Sequence, residues 1–189
     1  MKEVPVGVSA RHIHLSEEHI EKLFGEGYQL TVLKDLSQPR QFAANETVEV
    51  RGSKGSFPKV RILGPARKHT QLEVSRTDAF QIGVKPPVRE SGDIAGTPGI
   101  TIVGPAGEVE LEEGVIVAAR HIHFHTKEAS EWGITDKQIL RVQLQGERPL
   151  TFDDVIARVS DAYALDMHID TDEANAAGVK TGDKAVILD

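Results

Sequence analysis

The chain has 189 residues, a formal net charge of −7 and no cysteine, which excludes disulfides, thiolate metal ligands and a cysteine nucleophile. An acidic chain without a basic tract is a poor nucleic-acid binder. No apolar run approaches the ~18 residues of a membrane span and no signal-peptide core opens the sequence, so a cytoplasmic protein is expected, with neither membrane nor nucleic acid as a partner.

The first predicted element is a strand at Val4–Val8, which runs into Arg11-His12-Ile13-His14. Ser16 before Glu17-Glu18 then starts a helix over Glu17–Phe24, because a serine side chain accepts a free backbone N–H and early acids favour the helix dipole. Strands follow at Thr47–Val50, Val60–Leu63, Gln71–Val74, Ile100–Val103 and Val115–Val117, punctuated by glycine and proline. The stretch Gly83–Gly107 is the richest in both and reads as a loop region bordering a binding site. Next comes a second copy of the early motif, Arg120-His121-Ile122-His123, spaced 109 residues from the first (12 to 121). Thr126 then precedes a helix at Lys127–Glu131, with a strand at Leu140–Leu144. Thr151-Phe152-Asp153-Asp154 reads as a capped start to a helix over Asp153–Tyr163. A weaker echo, His168-Ile169-Asp170, precedes a helix at Asp172–Ala176 and a strand at Lys184–Leu188.

Many short strands, few helices and an internal repeat point to a mainly β chain built as small duplicated barrels. A TIM barrel needs about 250 residues, so the hydrolases that carry His-x-His on that fold are disfavoured. On a strand, residues i and i+2 share a face, so each His-Ile-His can aim two imidazoles at one point and bury its isoleucine behind them. Paired imidazoles suit zinc or another divalent transition metal. If Gln71–Ser75 is a strand, Glu73 can complete a shell with His12 and His14. Arg67 follows the Gly64-Pro65 turn, where its planar fork can meet phosphate oxygens. His19, His69 and His125 are read as hydrogen-bonded core or capping residues. His125 aligns with Ser16 of the first copy, and the cap is placed at Thr126.

The segments Ser9-Ala10-Arg11-His12-Ile13-His14-Leu15-Ser16, Leu63-Gly64-Pro65-Ala66-Arg67, Gln71-Leu72-Glu73-Val74-Ser75, Ala119-Arg120-His121-Ile122-His123 and Asp166-Met167-His168 resemble phosphate propanoyltransferase, the propanediol-utilisation type of phosphotransacylase. The resemblance runs from about Val4 to Leu188. It implies two β-barrel domains with the active site between them, the first spanning residues 11–118 and the second residues 1–10 and 119–189. It implies two zinc ions, one on His12, His14 and Glu73, the other on His121, His123 and His168. Arg67 would bind phosphate, and Phe80 would pack against the adenine of coenzyme A. The implied partners are acyl-CoA, CoA and phosphate, and a homodimer is expected. Members sent into bacterial microcompartments carry an N-terminal amphipathic extension. Only a few residues precede the first strand here, so microcompartment cargo is expected only if such a segment was removed. A dizinc hydrolase and a non-catalytic metal-binding barrel remain the competing readings. No serine sits in a Gly-x-Ser-x-Gly elbow, so direct attack of phosphate on the thioester is expected, without an acyl-enzyme.

Overall fold

Alternating burial starts at the first residues of the computed structural model, which describes residues 2–188. In β1 (Lys2–Ser9), Val4 and Val6 point inward while Glu3 and Pro5 face out. There follow β2 (His12–His14), α1 (Glu17–Phe24), β3 (Val32–Asp35), β4 (Phe42–Arg51), β5 (Ser56–Gly64), β6 (Gln71–Glu73), α2 (Arg76–Ile82), β7 (Val88–Arg89), β8 (Ile100–Val103), β9 (Glu108–Leu111) and β10 (Val115–Ala118). The rest of the chain forms β11 (His121–Phe124), α3 (Thr126–Trp132), β12 (Ile139–Leu144), β13 (Leu150–Val159), β14 (Asp166–Asp170), α4 (Thr171–Ala177) and β15 (Lys184–Leu188).

The chain divides into two compact units. One comprises Met1–Ala10, Ser37–Pro39 and Ala119–Asp189; the other comprises Arg11–Leu36 and Arg40–Ala118. The first is a closed six-stranded barrel in the order β1-β14-β11-β13-β12-β15, with β15 returning to β1. Its core is filled by Val4, Val6, Ile122, Phe124, Leu144, Met167 and their neighbours. The second is a nine-stranded curled sheet in the order β7-β10-β6-β2-β5-β4-β8-β9, with β3 added on β4. It packs around Ile13, Leu15, Leu23, Ile62, Leu72, Ile82 and Ile102. The mainly β, barrel-like architecture expected from the sequence is therefore present. Closure removes the exposed edges of the first unit, while the second keeps open ends at β7 and β9.

The predicted helix at Asp153–Tyr163 is wrong: this segment lies largely in strand β13. Its alternating buried Val155 and Ala157 and its β-branched residues favour the pleat. The Asp153-Asp154 pair is no cap. It sits where the β12–β13 register slips, and Asp154 takes a positive φ of 55°. Sequence reading also missed α2, although Ser75 and Asp78 make a reciprocal capping box there.

Candidate metal centres and their surroundings

Each His-Ile-His strand is flanked on both sides within its own unit. Strand β2 lies parallel to β5 and antiparallel to β6, with His12 opposite Glu73 and His14 opposite Gln71. Strand β11 lies parallel to β13 and antiparallel to β14, with His121 opposite His168 and His123 opposite Asp166. The repeat is thus deeper than the sequence shows. The counterpart of His168 is Glu73, and not a member of either His-Ile-His triplet. Ile13 and Ile122, the central residues of the triplets, are fully buried behind the imidazoles.

The elements around each group repeat as well. Ser16 caps α1 and His125 caps α3, at the equivalent positions noted above; the His125 side chain accepts from the Lys127 amide. The cap is therefore His125 itself and not Thr126. Ser75 caps α2 and Asp170 caps α4, each in a box with the acid three residues on, Asp78 or Glu173. The arginine that opens each motif grips that acid. Arg11 Nη1 lies 2.8 Å from Asp78 Oδ1, and Arg120 Nη1 lies 2.9 Å from Glu173 Oε1. Each guanidinium also covers an aromatic ring, Phe57 at 4.0 Å for Arg11 and Phe152 at 4.7 Å for Arg120. The strand with two histidines is thereby tied to the helix that follows the strand with the third residue.

In the nine-stranded unit, one donor atom from each of His12, His14 and Glu73 lies within 4.8 Å of the others. His12 Nε2 is 3.4 Å from Glu73 Oε2, and His14 Nε2 is 3.8 Å from Glu73 Oε1. Burial, with the charge of His12 and Arg67 nearby, lowers the His14 pKa to about 3. Burial opposes ionisation of Glu73, yet His12, His14 and the Ser91 hydroxyl together hold its carboxyl well below the usual range. A neutral His14 imidazole beside an ionised carboxylate, with the second imidazole of His12 3.4 Å from that carboxylate, is a donor set that suits a divalent metal, so the group fits zinc.

A hydrogen-bond network secures that carboxylate. Gln71 Nε2 donates to Glu73 Oε1 at 2.6 Å and the Ser91 hydroxyl donates to it at 2.9 Å. The Gly92 amide donates to Gln71 Oε1 at 2.7 Å, which sets the amide's orientation. Arg67 Nη1 donates to Ser91 Oγ at 3.0 Å, and the Arg67 amide donates to the Leu15 carbonyl. Arg67 thus stands one hydroxyl from Glu73. The turn that delivers it needs Gly64, where a Cβ would fall 2.2 Å from the Phe42 ring. Ser91 and Gly92 come from the glycine- and proline-rich loop. Sequence reading placed a site border there without naming them.

In the closed barrel, the His121 and His168 rings stack with centroids 5.1 Å apart, and His123 meets them edge-on at 4.7 and 4.9 Å. His121 Nδ1 lies 2.8 Å from the Ala119 carbonyl. Bonding there as a donor leaves Nε2 with the lone pair. Burial, and then the charge of His121, His168 and Arg158, lowers the His123 pKa to about 2. His123 also packs on Tyr163, 4.3 Å between centroids. Three clustered imidazoles, one held neutral, suit the same class of metal, although they meet ring to ring here rather than through converged donor atoms.

Phe80 lies on α2 and is 79% exposed, with Lys54 Nζ 5.6 Å from its ring centroid. It is therefore no core residue. Of the lone histidines, His19 Nδ1 bonds Thr70 Oγ1 at 2.7 Å and His125 is a cap, as expected, while His69 is simply exposed. Among the described residues no helix is long and apolar enough to cross a membrane.

Known proteins bear on this arrangement. The family model described as Phosphate propanoyltransferase matches residues 5–180. Similar curated proteins named phosphate propanoyltransferase include one from Thermotoga maritima, 58% identical over 97% of this chain and 88% of its own length. Another, from Sebaldella termitidis, is 56% identical over 95% of this chain and 85% of its own length. A third, from Clostridioides difficile, is 52% identical over 98% of this chain and 88% of its own length.

Proposed function

The chain belongs to the phosphate propanoyltransferase family, and we propose that it exchanges the CoA of a short acyl-CoA, propanoyl-CoA first among them, for inorganic phosphate by direct attack at a dizinc site. As a family member it is an acyltransferase that uses phosphate. The observation that carries the finer reading is the convergence of His12, His14 and Glu73 donors within 4.8 Å; the clustered rings of His121, His123 and His168 at the matching strand positions support a second metal. Zinc, when bound, supplies positive charge for phosphate and for the developing oxyanion, and its affinity for soft sulfur suits a thiolate leaving group.

The remaining chemistry belongs to the chain's own groups. Phosphate is largely dianionic near neutral pH and must be drawn against other negative charge. Arg67, half-buried and oriented by Ser91, offers a fork that matches two phosphate oxygens. Held there, a phosphate oxygen attacks the thioester carbonyl carbon, the C–S bond breaks and the proton of phosphate leaves with the CoA thiol. Fixed orientation is worth orders of magnitude in such a bimolecular step. The chain has no cysteine to carry an acyl group, and its buried histidines are assigned to metal. Phe80, exposed on its helix, is assigned to the adenine of CoA, for which it offers an aromatic face with Lys54 beside it.

The test is release of CoA thiol from propanoyl-CoA by the zinc-loaded chain, with and without phosphate. Release that requires phosphate and yields acyl phosphate supports the reading. Release without phosphate identifies a thioester hydrolase, and no turnover of acyl-CoA identifies a metal-binding module.

A further inference from the structure

The duplicated strands β6 and β14 differ at two positions in a matched way. In β6 the residue facing the metal group is the acid Glu73, and two residues earlier on the same face stands the amide Gln71, which donates to it at 2.6 Å. In β14 the corresponding residue is the imidazole His168, and two residues earlier stands the acid Asp166, whose Oδ2 lies 3.4 Å from His168 Nε2. An acceptor ligand has a donor for a neighbour, and a ligand with an N–H has an acceptor. Gln71 faces His14 across β2, and Asp166 faces His123 across β11, so the two neighbours occupy one structural position.

Asp166 is built into its place. It is 5% exposed, and its Oδ2 accepts the hydroxyl of Ser37. Ser37 comes from Ser37–Pro39, the three residues that join the closed barrel. Next to it, Gln38 is buried and exchanges two hydrogen bonds with the Ala164 backbone. On the neighbouring strand Gly7 pairs with His168, and a Cβ at Gly7 would lie 3.0 Å from Asp166 Oδ2. A buried carboxylate wedged between a hydroxyl, a glycine and an imidazole is costly unless its lone pairs are used. The 3.4 Å separation is slightly longer than a formed hydrogen bond, so the contact must tighten when the metal binds.

We propose that Asp166 is the positioning residue of the second metal group: its carboxylate holds the His168 N–H at Nε2 and so presents Nδ1 to the metal. This rests on the reading of His168 as a metal ligand. A carboxylate behind a ligating imidazole fixes its tautomer and orientation and raises its basicity, and losing such a partner costs about 10- to 100-fold in metal affinity.

The experiment titrates zinc into full-length wild-type, His168→Ala and Asp166→Asn proteins against a chromophoric chelator. His168→Ala should bind one zinc in place of two. Asp166→Asn should bind two, with the dissociation constant of one raised about 10- to 100-fold and that of the other unchanged. If His168→Ala loses one zinc but Asp166→Asn binds both like wild type, the positioning role falls and the metal reading stands. If His168→Ala keeps both zincs, the metal reading itself fails and takes the proposal with it. A second measurement does not depend on any variant folding. Nitrogen-15 NMR of zinc-loaded wild type should show His168 protonated at Nε2 and metallated at Nδ1. Metal on Nε2 would overturn the proposal.

Discussion

The two units carry the same device with different chemistry, and the difference lies in what surrounds the third residue. In the nine-stranded unit, Glu73 brings a negative charge, an amide and a hydroxyl stabilise it, and Arg67 stands one hydroxyl away. In the closed barrel the third residue is the imidazole of His168, and the carboxylate stands two residues back at Asp166, 3.4 Å away. Each unit therefore places one carboxylate near its pair of histidines, as a direct ligand candidate in one and as a supporting partner in the other. Duplication kept the strand register, the capping boxes and the arginine grip, while the further arginine near each group differs, Arg67 in one unit and Arg158 in the other.

Breaking either donor set should have the largest effect. His14→Ala and His123→Ala should each remove one zinc and lower the rate by more than about 100-fold, since in the proposed mechanism each metal serves the same reaction. Metal content and initial rates measured on the same samples check this, and a variant that keeps both zincs would break the correspondence between the halves.

Arg67 tests the asymmetry. Arg67→Ala should leave both zincs in place and raise the KM for phosphate about 10- to 100-fold, the worth of one charge-assisted hydrogen bond of roughly 1.5–3 kcal/mol. Lysine should restore little, because a point charge lacks the fork. Unchanged phosphate dependence would reduce Arg67 to a turn residue.

Acid should weaken the two metal-free units alike. Unfolded histidine titrates near 6.5, but His14 is lowered to about 3 and His123 to about 2 in the folded chain. Between those values the unfolded state binds more protons, so stability is full above about pH 7 and falls as the pH drops from about 6.5 toward 3. Urea unfolding of chelator-treated protein at pH 7.5 and 5 measures the slope. His14→Asn and His123→Asn should each remove part of it.

The smallest effect concerns the arginine grips. Arg11→Ala and Arg120→Ala should each destabilise by about 1–2 kcal/mol, with Arg11 the larger, because the Asp78 side chain left behind is 9% exposed against 21% for Glu173. Urea midpoints decide the order, and the reverse order would show that burial of the acid does not govern the cost.

The sequence made legible whatever is local. The two His-Ile-His triplets, the Ser16 cap, the strands Ile100–Val103 and Lys184–Leu188 and the face shared by Gln71 and Glu73 all follow from spacing within a few residues. Where local signals compete, reading failed. Thr151-Phe152-Asp153-Asp154 carries capping residues, yet the barrel needs a strand there, and pairing with β11 and β12 overrides the signal. Residues brought in from a distance left no trace. Ser91 reaches Glu73 from an irregular loop 18 residues away, and Ser37 reaches Asp166 across 129 residues. Neither has a period or motif to announce it. The equivalence of Glu73 and His168 was hidden because the side chains differ, and strand register alone reveals it.

Native mass spectrometry of the zinc-loaded chain tests most directly whether each unit holds one metal. Two zincs are expected in wild type, one in His14→Ala, one in His123→Ala and none in the double variant. A wild type with a single zinc, or single variants that both retain two, would contradict the account.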